Sequence, residues 1–245
     1  MGEKRHIHIE KNGDEIQVEI GDKKERKSLN NLKALLVANG GVNNEEFLRI
    51  LSRDFDMVIG VDGGANFLKR ANVKPDYIVG DMDSVDPSVL SFFEKNGVEI
   101  LRYPREKDKT DTELAVDLLL NMNVDDITFS GVVGDRMDHT FAVFQILYKL
   151  KLKGIKSRIV EKDLDIFLLR NEIFVMSVRK GETWSILPIF EEARKVDLEG
   201  FLYPVKNFKF PFGKTVGVSN ETVEDSVKIV VGEGSILVFR WKVRV

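Results

Sequence analysis

Five apolar runs in this chain each end in a short cluster of Gly, Asp and Asn, and together the clusters have the chemistry of one anion- and metal-binding rim. They are Asn39-Gly40-Gly41, Asp62-Gly63-Gly64, Gly80-Asp81-Met82-Asp83-Ser84, Lys107-Asp108-Lys109-Thr110-Asp111, and Gly131 through Gly134-Asp135-Arg136-Met137-Asp138-His139. Asp81 and Asp83 lie two apart, so in a locally extended chain both carboxylates point the same way. That spacing suits magnesium, which takes one or two protein carboxylates and leaves its other positions to water and phosphate. The structural alternative is an Asp-rich turn in which Ser84 or Asp86 caps the next helix. Thr110 and Glu113 have capping-box spacing, which would fix the direction of Asp111 in the first helical turn, while Lys107 and Lys109 add positive charge for phosphate. Gly134 allows close backbone approach at a helix start, and Arg136 can fork onto phosphate oxygens. Gly63 and Gly64 remove side chains where a nucleotide could lie against the backbone, or else make only a tight turn. His139 at a helix start reads equally as a cap or a catalyst.

The elements that must position these residues alternate. Strands are expected over 34–38, 57–61, 77–79, 98–103 and 127–130, and helices over 44–53 (with Asn43 as cap), 65–70, 111–122 and 139–152. A further helix opens at Asp86-Pro87 and closes at Asn96-Gly97. A strand that stays apolar to its last residue and then turns acidic and glycine-rich is the βα unit of an open parallel sheet, whose ligands sit beyond the carboxyl ends of the strands. After residues 158–160 the helical period vanishes. Short strands are expected over 166–169, 173–178, 184–188, 196–205 and 215–218, with a final hairpin of 227–231 and 236–245 around Gly232-Glu233-Gly234. The fold class is therefore α/β: a mostly parallel open sheet followed by an all-β sandwich. The expected division is a hairpin appendage and linker over 1–31, a catalytic domain over 32–174 and a β-sandwich over 175–245. The hairpin rests on Ile7, Ile9, Ile16, Val18 and Ile20 alternating around Lys11-Asn12-Gly13-Asp14.

With 245 residues and 43% hydrophobic composition, the chain can build real cores. A net charge of -3 gives no basic field for nucleic acid. The absence of Cys excludes thiolate chemistry and disulfides, and the three histidines, His6, His8 and His139, are too scattered for a zinc site. The sequence has neither a signal-like apolar N-terminus nor a membrane-length run, so a cytoplasmic location is expected. In the β region, Trp184, Phe201, Phe208, Phe210, Phe212 and Trp241 read as core. An aromatic face beside Ser219-Asn220 could also stack on a flat cationic heterocycle.

The ordered set Asp-Gly-Gly-Ala-Asn (62–66), Gly-Asp-Met-Asp-Ser (80–84), Lys-Asp-Lys-Thr-Asp (107–111), Gly-Val-Val-Gly-Asp-Arg-Met-Asp-His (131–139) and Gly-Val-Ser-Asn-Glu (217–221) resembles the thiamine pyrophosphokinase family over residues 32–245. The resemblance implies magnesium-dependent transfer of a diphosphoryl group from ATP to thiamine, giving AMP and thiamine diphosphate. It also implies a homodimer whose thiamine sites lie between the catalytic domain of one subunit and the β domain of the other. By position, Asp81, Asp83 and Asp111 would hold magnesium, and Asp62, Arg136 and Asp138 would serve the ATP and metal region. Gly63, Gly64, Asn66, Lys107, Asp108, Thr110, Gly134 and His139 fall in the nucleotide-binding set, and Tyr203, Ser219 and Asn220 would contact thiamine. Val143 departs from the Asn that many bacterial members carry in that helix. Two rival readings share parts of this pattern: a diphosphokinase of related fold acting on a pterin alcohol, and a non-catalytic thiamine-binding regulatory module. The second would be expected to lose metal carboxylates, all of which are present.

Overall fold

A computed structural model describes residues 7–12, 15–20, 32–40, 44–134 and 136–242, with the backbone alone for the first two segments. The Gly21–Asn31 linker, the Asn43 cap, Gly41 and Asp135 fall outside these residues. The chain divides into two compact units, residues 1–146 with 154–156 and residues 147–153 with 157–245.

In the first unit, β1 (Ile7–Asn12) pairs antiparallel with β2 (Glu15–Ile20), in the register Ile7↔Ile20 to Asn12↔Glu15. There follow β3 (Lys33–Val37), α1 (Glu45–Leu51), a 3-10 turn (Ser52–Asp54), β4 (Met57–Val61), α2 (Gly64–Arg70), β5 (Tyr77–Gly80) and α3 (Pro87–Lys95). Then come β6 (Glu99–Arg102), α4 (Asp111–Asn121), β7 (Asp126–Ser130) and α5 (Met137–Leu152), the last of which runs on into the residues of the second unit. The order β7-β3-β4-β5-β6 is parallel throughout. Strands such as Ala34-Leu35-Leu36-Val37 are buried along their length, as expected where helices cover both faces of a sheet. Leu35, Val37, Leu48, Val58, Leu68, Ile78 and Phe93 form one core cluster.

Side chains set the helix starts: Asn44 Oδ1 accepts from Phe47 N at 2.9 Å, Asp86 Oδ1 from Ser88 N at 2.8 Å, and Thr110 Oγ1 from Glu113 N at 3.2 Å. From β3 the chain steps through β4 and β5 to β6, then returns to lay β7 on the other side of β3. The connections leaving β3 and β7 thus diverge, the topological switch point at which open α/β sheets bind ligands. Ala38 N donates to Ser130 O at 2.9 Å and Gly40 N to Gly131 O at 2.5 Å across it.

The second unit contains β8 (Lys156–Val160), β9 (Leu164–Arg170), β10 (Ile173–Ser177), β11 (Thr183–Pro188), β12 (Ala193–Glu199), β13 (Val205–Phe210), β14 (Asn220–Glu221), β15 (Ser226–Glu233) and β16 (Ser235–Trp241). Two antiparallel layers, β8-β9-β16-β11-β14 and β10-β15-β12-β13, enclose Trp184, Ile186, Val196, Leu198, Phe201, Phe210, Ile229, Val231 and Val238. Phe212, expected in the core, is exposed. Three expected strand features also fail, each at a glycine with positive φ. The strand expected over 196–205 is broken at Gly200 (φ 85), where the chain passes so close to Ser226 O that no Cβ would fit. Where a strand was expected over 215–218, residues 216–219 form a turn, with Gly217 at φ 101 and its carbonyl accepting from Ile186 N at 2.8 Å. The final two strands are not a hairpin: Glu233 pairs with Arg194 in one layer and Ser235 with Arg170 in the other, with Gly234 (φ 87) as the corner.

An ionic cluster is sunk in this unit. Arg240 forks onto Glu182 through Nε–Oε2 and Nη2–Oε1, both 2.8 Å, and Nη1 lies 3.4 Å from Asp165 Oδ2. Lys242 Nζ sits 2.8 Å from Asp165 Oδ1. Burial pushes the Glu182 carboxyl up, but bonds from Arg240, Arg179 N and Trp184 outweigh it and leave the group below its ordinary range. At Asp165 burial wins and the carboxyl is raised.

Candidate active site

Two strand ends and one helix start build the acidic rim. After β4 the backbone turns left-handed at Asp62 (φ 46), whose N donates to Val79 O at 2.9 Å, so β5 fixes the aspartate's position. Gly63 and Gly64 are both buried. A Cβ on Gly63 would stand 2.6 Å from Asn39 Nδ2, and one on Gly64 would overlap the Val37 carbonyl. These glycines serve close packing of α2 against the chain leaving β3. Asn66 braces the next loop, donating from Nδ2 to Ser84 O at 2.9 Å and accepting from Asp86 N at 3.0 Å.

After β5, Gly80 has φ 151 and Met82 φ 68, so the Asp81–Asp83 segment is kinked and not extended. The kink supplies what extension was expected to supply. Asp83 N donates back to Asp81 Oδ1 at 3.1 Å, and one carboxylate oxygen from each of Asp62, Asp81 and Asp83 falls within 4.8 Å of the others. Asp62 Oδ1 is buried and accepts no hydrogen bond among the described residues, a position that costs stability unless a cation or donor meets it. Hard oxygens around an unmet acceptor fit a divalent cation such as magnesium.

Asp111 enters from the first turn of α4. A Cβ built on Gly80 would stand 3.0 Å from Asp62 Cβ and 3.3 Å from Asp111 Cγ, so these two aspartates crowd the same glycine. Burial pushes the Asp111 carboxyl up; Lys107 pulls it down, and the charges of Asp81 and Asp62 push it up further. Lys107 itself is only 8% exposed, with Nζ 3.0 Å from Asp111 Oδ1 and 3.7 Å from Asp81 Oδ2, and it donates to Pro104 O at 3.0 Å. Lys109 turns away to Asp117 Oδ2 at 3.1 Å, Asp108 is exposed, and Thr110 acts as the α4 cap. Arg105, which the sequence reading did not single out, reaches within 4.0 Å of Asp83 Oδ2 from solvent; its place in the charged run before Lys107 was the available signal.

At the start of α5, Arg136 pairs bidentately with Asp138, at 2.9 and 2.7 Å, on an exposed surface. The guanidinium holds the Asp138 carboxyl well below the usual carboxylate range. Gly134 is half-buried and His139 exposed. Within the β unit, Tyr203 is 64% exposed while Asn220 is buried. Asn220 Oδ1 accepts from Tyr203 N and Nδ2 donates to Tyr203 O, both at 3.0 Å, so the amide clamps the backbone that presents the ring. Ser219 is exposed in left-handed backbone (φ 57), its N donating to Ser185 Oγ at 3.2 Å.

Residues 48–159 match the model of the thiamin pyrophosphokinase catalytic domain, and residues 170–236 match that of the thiamin pyrophosphokinase vitamin B1 binding domain. The chain belongs to the thiamine pyrophosphokinase family. The thiamine pyrophosphokinase of Bacillus subtilis is 30% identical over 206 residues, spanning 84% of this chain and 96% of the relative. Thiamine pyrophosphokinase 2 of Arabidopsis thaliana is 26% identical over 221 residues, 80% of this chain and 81% of the relative. Among solved thiamine pyrophosphokinase structures, that from Bacillus subtilis superposes with a TM-score of 0.76 at 27% identity, covering 85% of this chain and 98% of the other. That from Geobacillus thermodenitrificans gives 0.74 at 25% identity, covering 86% and 97%. With both thiamine pyrophosphokinase domains matched, the pterin-alcohol and non-catalytic readings have no support.

Proposed function

We propose that the chain transfers the diphosphoryl group of ATP to the hydroxyl of thiamine, giving thiamine diphosphate and AMP. The observation that carries this reading is the convergence of Asp62, Asp81 and Asp83 at the carboxyl ends of β4 and β5, in a chain matching both domains of the family. These three aspartates would hold magnesium, with Asp111 at the same rim. Bound magnesium would neutralise and orient the transferred phosphoryl oxygens. Lys107 and Arg136 would supply positive charge, Arg136 exchanging part of its Asp138 pair for phosphate oxygens. Asp111, which reaches this rim from the first turn of α4, is the carboxylate we assign to accept the hydroxyl proton. Rate acceleration then comes mainly from placement and charge neutralisation in a loose transition state.

The acceptor end is assigned to the β unit of a second copy in a cytoplasmic homodimer. Exposed Leu202, Tyr203, Val216 and Val218 support this, being apolar surface that a partner and a flat heterocycle would cover. Product mass spectrometry with ATP, magnesium and a panel of alcohols tests the reaction: AMP with thiamine diphosphate is expected, and ADP with thiamine monophosphate would overturn it. Mixing Asp81→Ala and Tyr203→Ala subunits tests the dimer, since one hybrid site carries neither lesion. Absence of recovered activity after proven subunit exchange would place each site within one chain.

A further inference from the structure

The Lys107 side chain is only 8% exposed, and its ammonium group lies against carboxylates that the proposed function gives to a divalent cation or its immediate neighbourhood. Its contacts run to Asp111 Oδ1 at 3.0 Å, Pro104 O at 3.0 Å and Asp81 Oδ2 at 3.7 Å. Asp62, Asp81 and Asp83 bring one carboxylate oxygen each within 4.8 Å of the others, and Asp62 and Asp111 both crowd Gly80, a concentration of negative charge that is costly where it is partly buried unless a counter-charge meets it. The exposed Arg105, 4.0 Å from Asp83, is screened by water and supplies little of it. Lys107 supplies the rest from inside. A cation entering at Asp81 therefore meets one already in place, and the two repel across a short distance in a medium of low dielectric.

We propose that Lys107 is a tethered counter-ion that competes with the divalent metal for Asp81 and Asp111, and that passes to the phosphate chain when metal and nucleotide arrive together. The inference rests on the reading of Asp62, Asp81 and Asp83 as the metal-binding group. Metal alone pays for displacing an ammonium that has nowhere favourable to go. Metal accompanied by a polyphosphate releases that ammonium onto an anionic oxygen at the end of a flexible four-carbon stem. Lys107 thus raises the coupling between metal and nucleotide binding, and it holds the carboxylates apart from metal while no nucleotide is present.

The test is titration of Mn2+ followed by electron paramagnetic resonance, with and without α,β-methylene-ATP, on the wild-type chain, Lys107→Met, Lys107→Arg and the double variant Asp81→Asn/Asp83→Asn. Without nucleotide, Lys107→Met should bind Mn2+ at least tenfold more tightly than wild type, and Lys107→Arg should stay near wild type. The factor by which the nucleotide analogue tightens Mn2+ binding should fall at least tenfold in Lys107→Met. Equal or weaker Mn2+ binding by Lys107→Met, while Asp81→Asn/Asp83→Asn abolishes it, would overturn the role of Lys107 and leave the metal site standing. Mn2+ binding that survives Asp81→Asn/Asp83→Asn unchanged would overturn the metal reading and this inference with it. Thermal melting followed by circular dichroism checks each fold, and Lys107→Gln carries the same test should the Met variant not fold.

Discussion

Gly80→Ala perturbs the acidic rim through its backbone without removing any charge. The glycine has φ 151, a conformation almost closed to residues with a side chain, which costs an alanine about 1–3 kcal/mol. The added Cβ would also stand 3.0 Å from Asp62 Cβ and 3.3 Å from Asp62 Cα and Asp111 Cγ. Ordinary carbon contacts lie near about 3.5–4.0 Å, so both aspartates must move by several tenths of an ångström. A misplacement of about 1 Å at a reacting centre costs on the order of a hundredfold in rate, so a tenfold or greater fall in kcat/KM is expected. Gly97→Ala is the control, because Gly97 also has positive φ (71) but a Cβ there meets nothing within 4 Å. It should lose about 1–2 kcal/mol of stability from backbone strain alone, or roughly 2–8 °C in melting temperature, and keep its turnover. The assay is AMP release by both variants beside their thermal melts. Turnover by Gly80→Ala within about twofold of Gly97→Ala would refute the argument that this glycine exists to let the carboxylates close.

Asp81→Ala should leave the melting temperature near that of the wild type, since it relieves crowding among carboxylates, while lowering turnover by about a hundredfold or more; rate and melt are measured together at limiting magnesium. Arg240→Met should cost about 3–5 kcal/mol in urea unfolding by stranding buried Glu182, and Arg240→Met/Glu182→Gln should recover part of that loss. Because Glu182 is held below its ordinary value of 4.5, its stabilisation is in place above that pH and is lost as the pH falls through the folded value; Glu182→Gln should flatten the acid limb of the stability profile. Tyr203→Ala should raise the KM for thiamine about tenfold to a hundredfold with that for ATP nearly unchanged, whereas Asn220→Ala should do the same and also destabilise by about 1–3 kcal/mol. A melting scan separates these two variants.

Much of this was legible in the sequence because the βα units repeat one signal. β3, β4 and β5 stay apolar to their ends, and the helix starts at Asp86-Pro87 and Thr110-Asp111 stand where capping chemistry puts them, while the first helix takes Asn44 as its cap. The acidic rim was legible for the same reason. What failed was geometry carried by single backbone angles. Spacing suggested that Asp81 and Asp83 align through an extended chain, yet Met82 at φ 68 brings them together, and a methionine gives no warning of left-handed backbone. Gly234 hid a change of layer inside what resembled a hairpin turn, because a glycine reads alike in both. Asn220 was expected to contact thiamine; that it is buried and clamps the Tyr203 backbone by two bonds depends on residues 17 positions away, which no local pattern shows.

The layer change at Gly234 has a consequence for the order in which the chain can be made. β16 pairs with β9 along Ser235–Trp241 and with β11 along Ile236–Trp241, so it fills the gap between two strands made long before it. The parallel strands of the first unit have all been synthesised by Ser130. The second unit, by contrast, waits with two open edges until residues 235–241 leave the ribosome, and open edges invite pairing with strands of neighbouring chains. A ribosome that stalls anywhere between Pro188 and Ser235 therefore displays a nascent chain with one unit supplied with all its strands and the other exposed to aggregation, which makes that interval the one in which a chaperone has most to do.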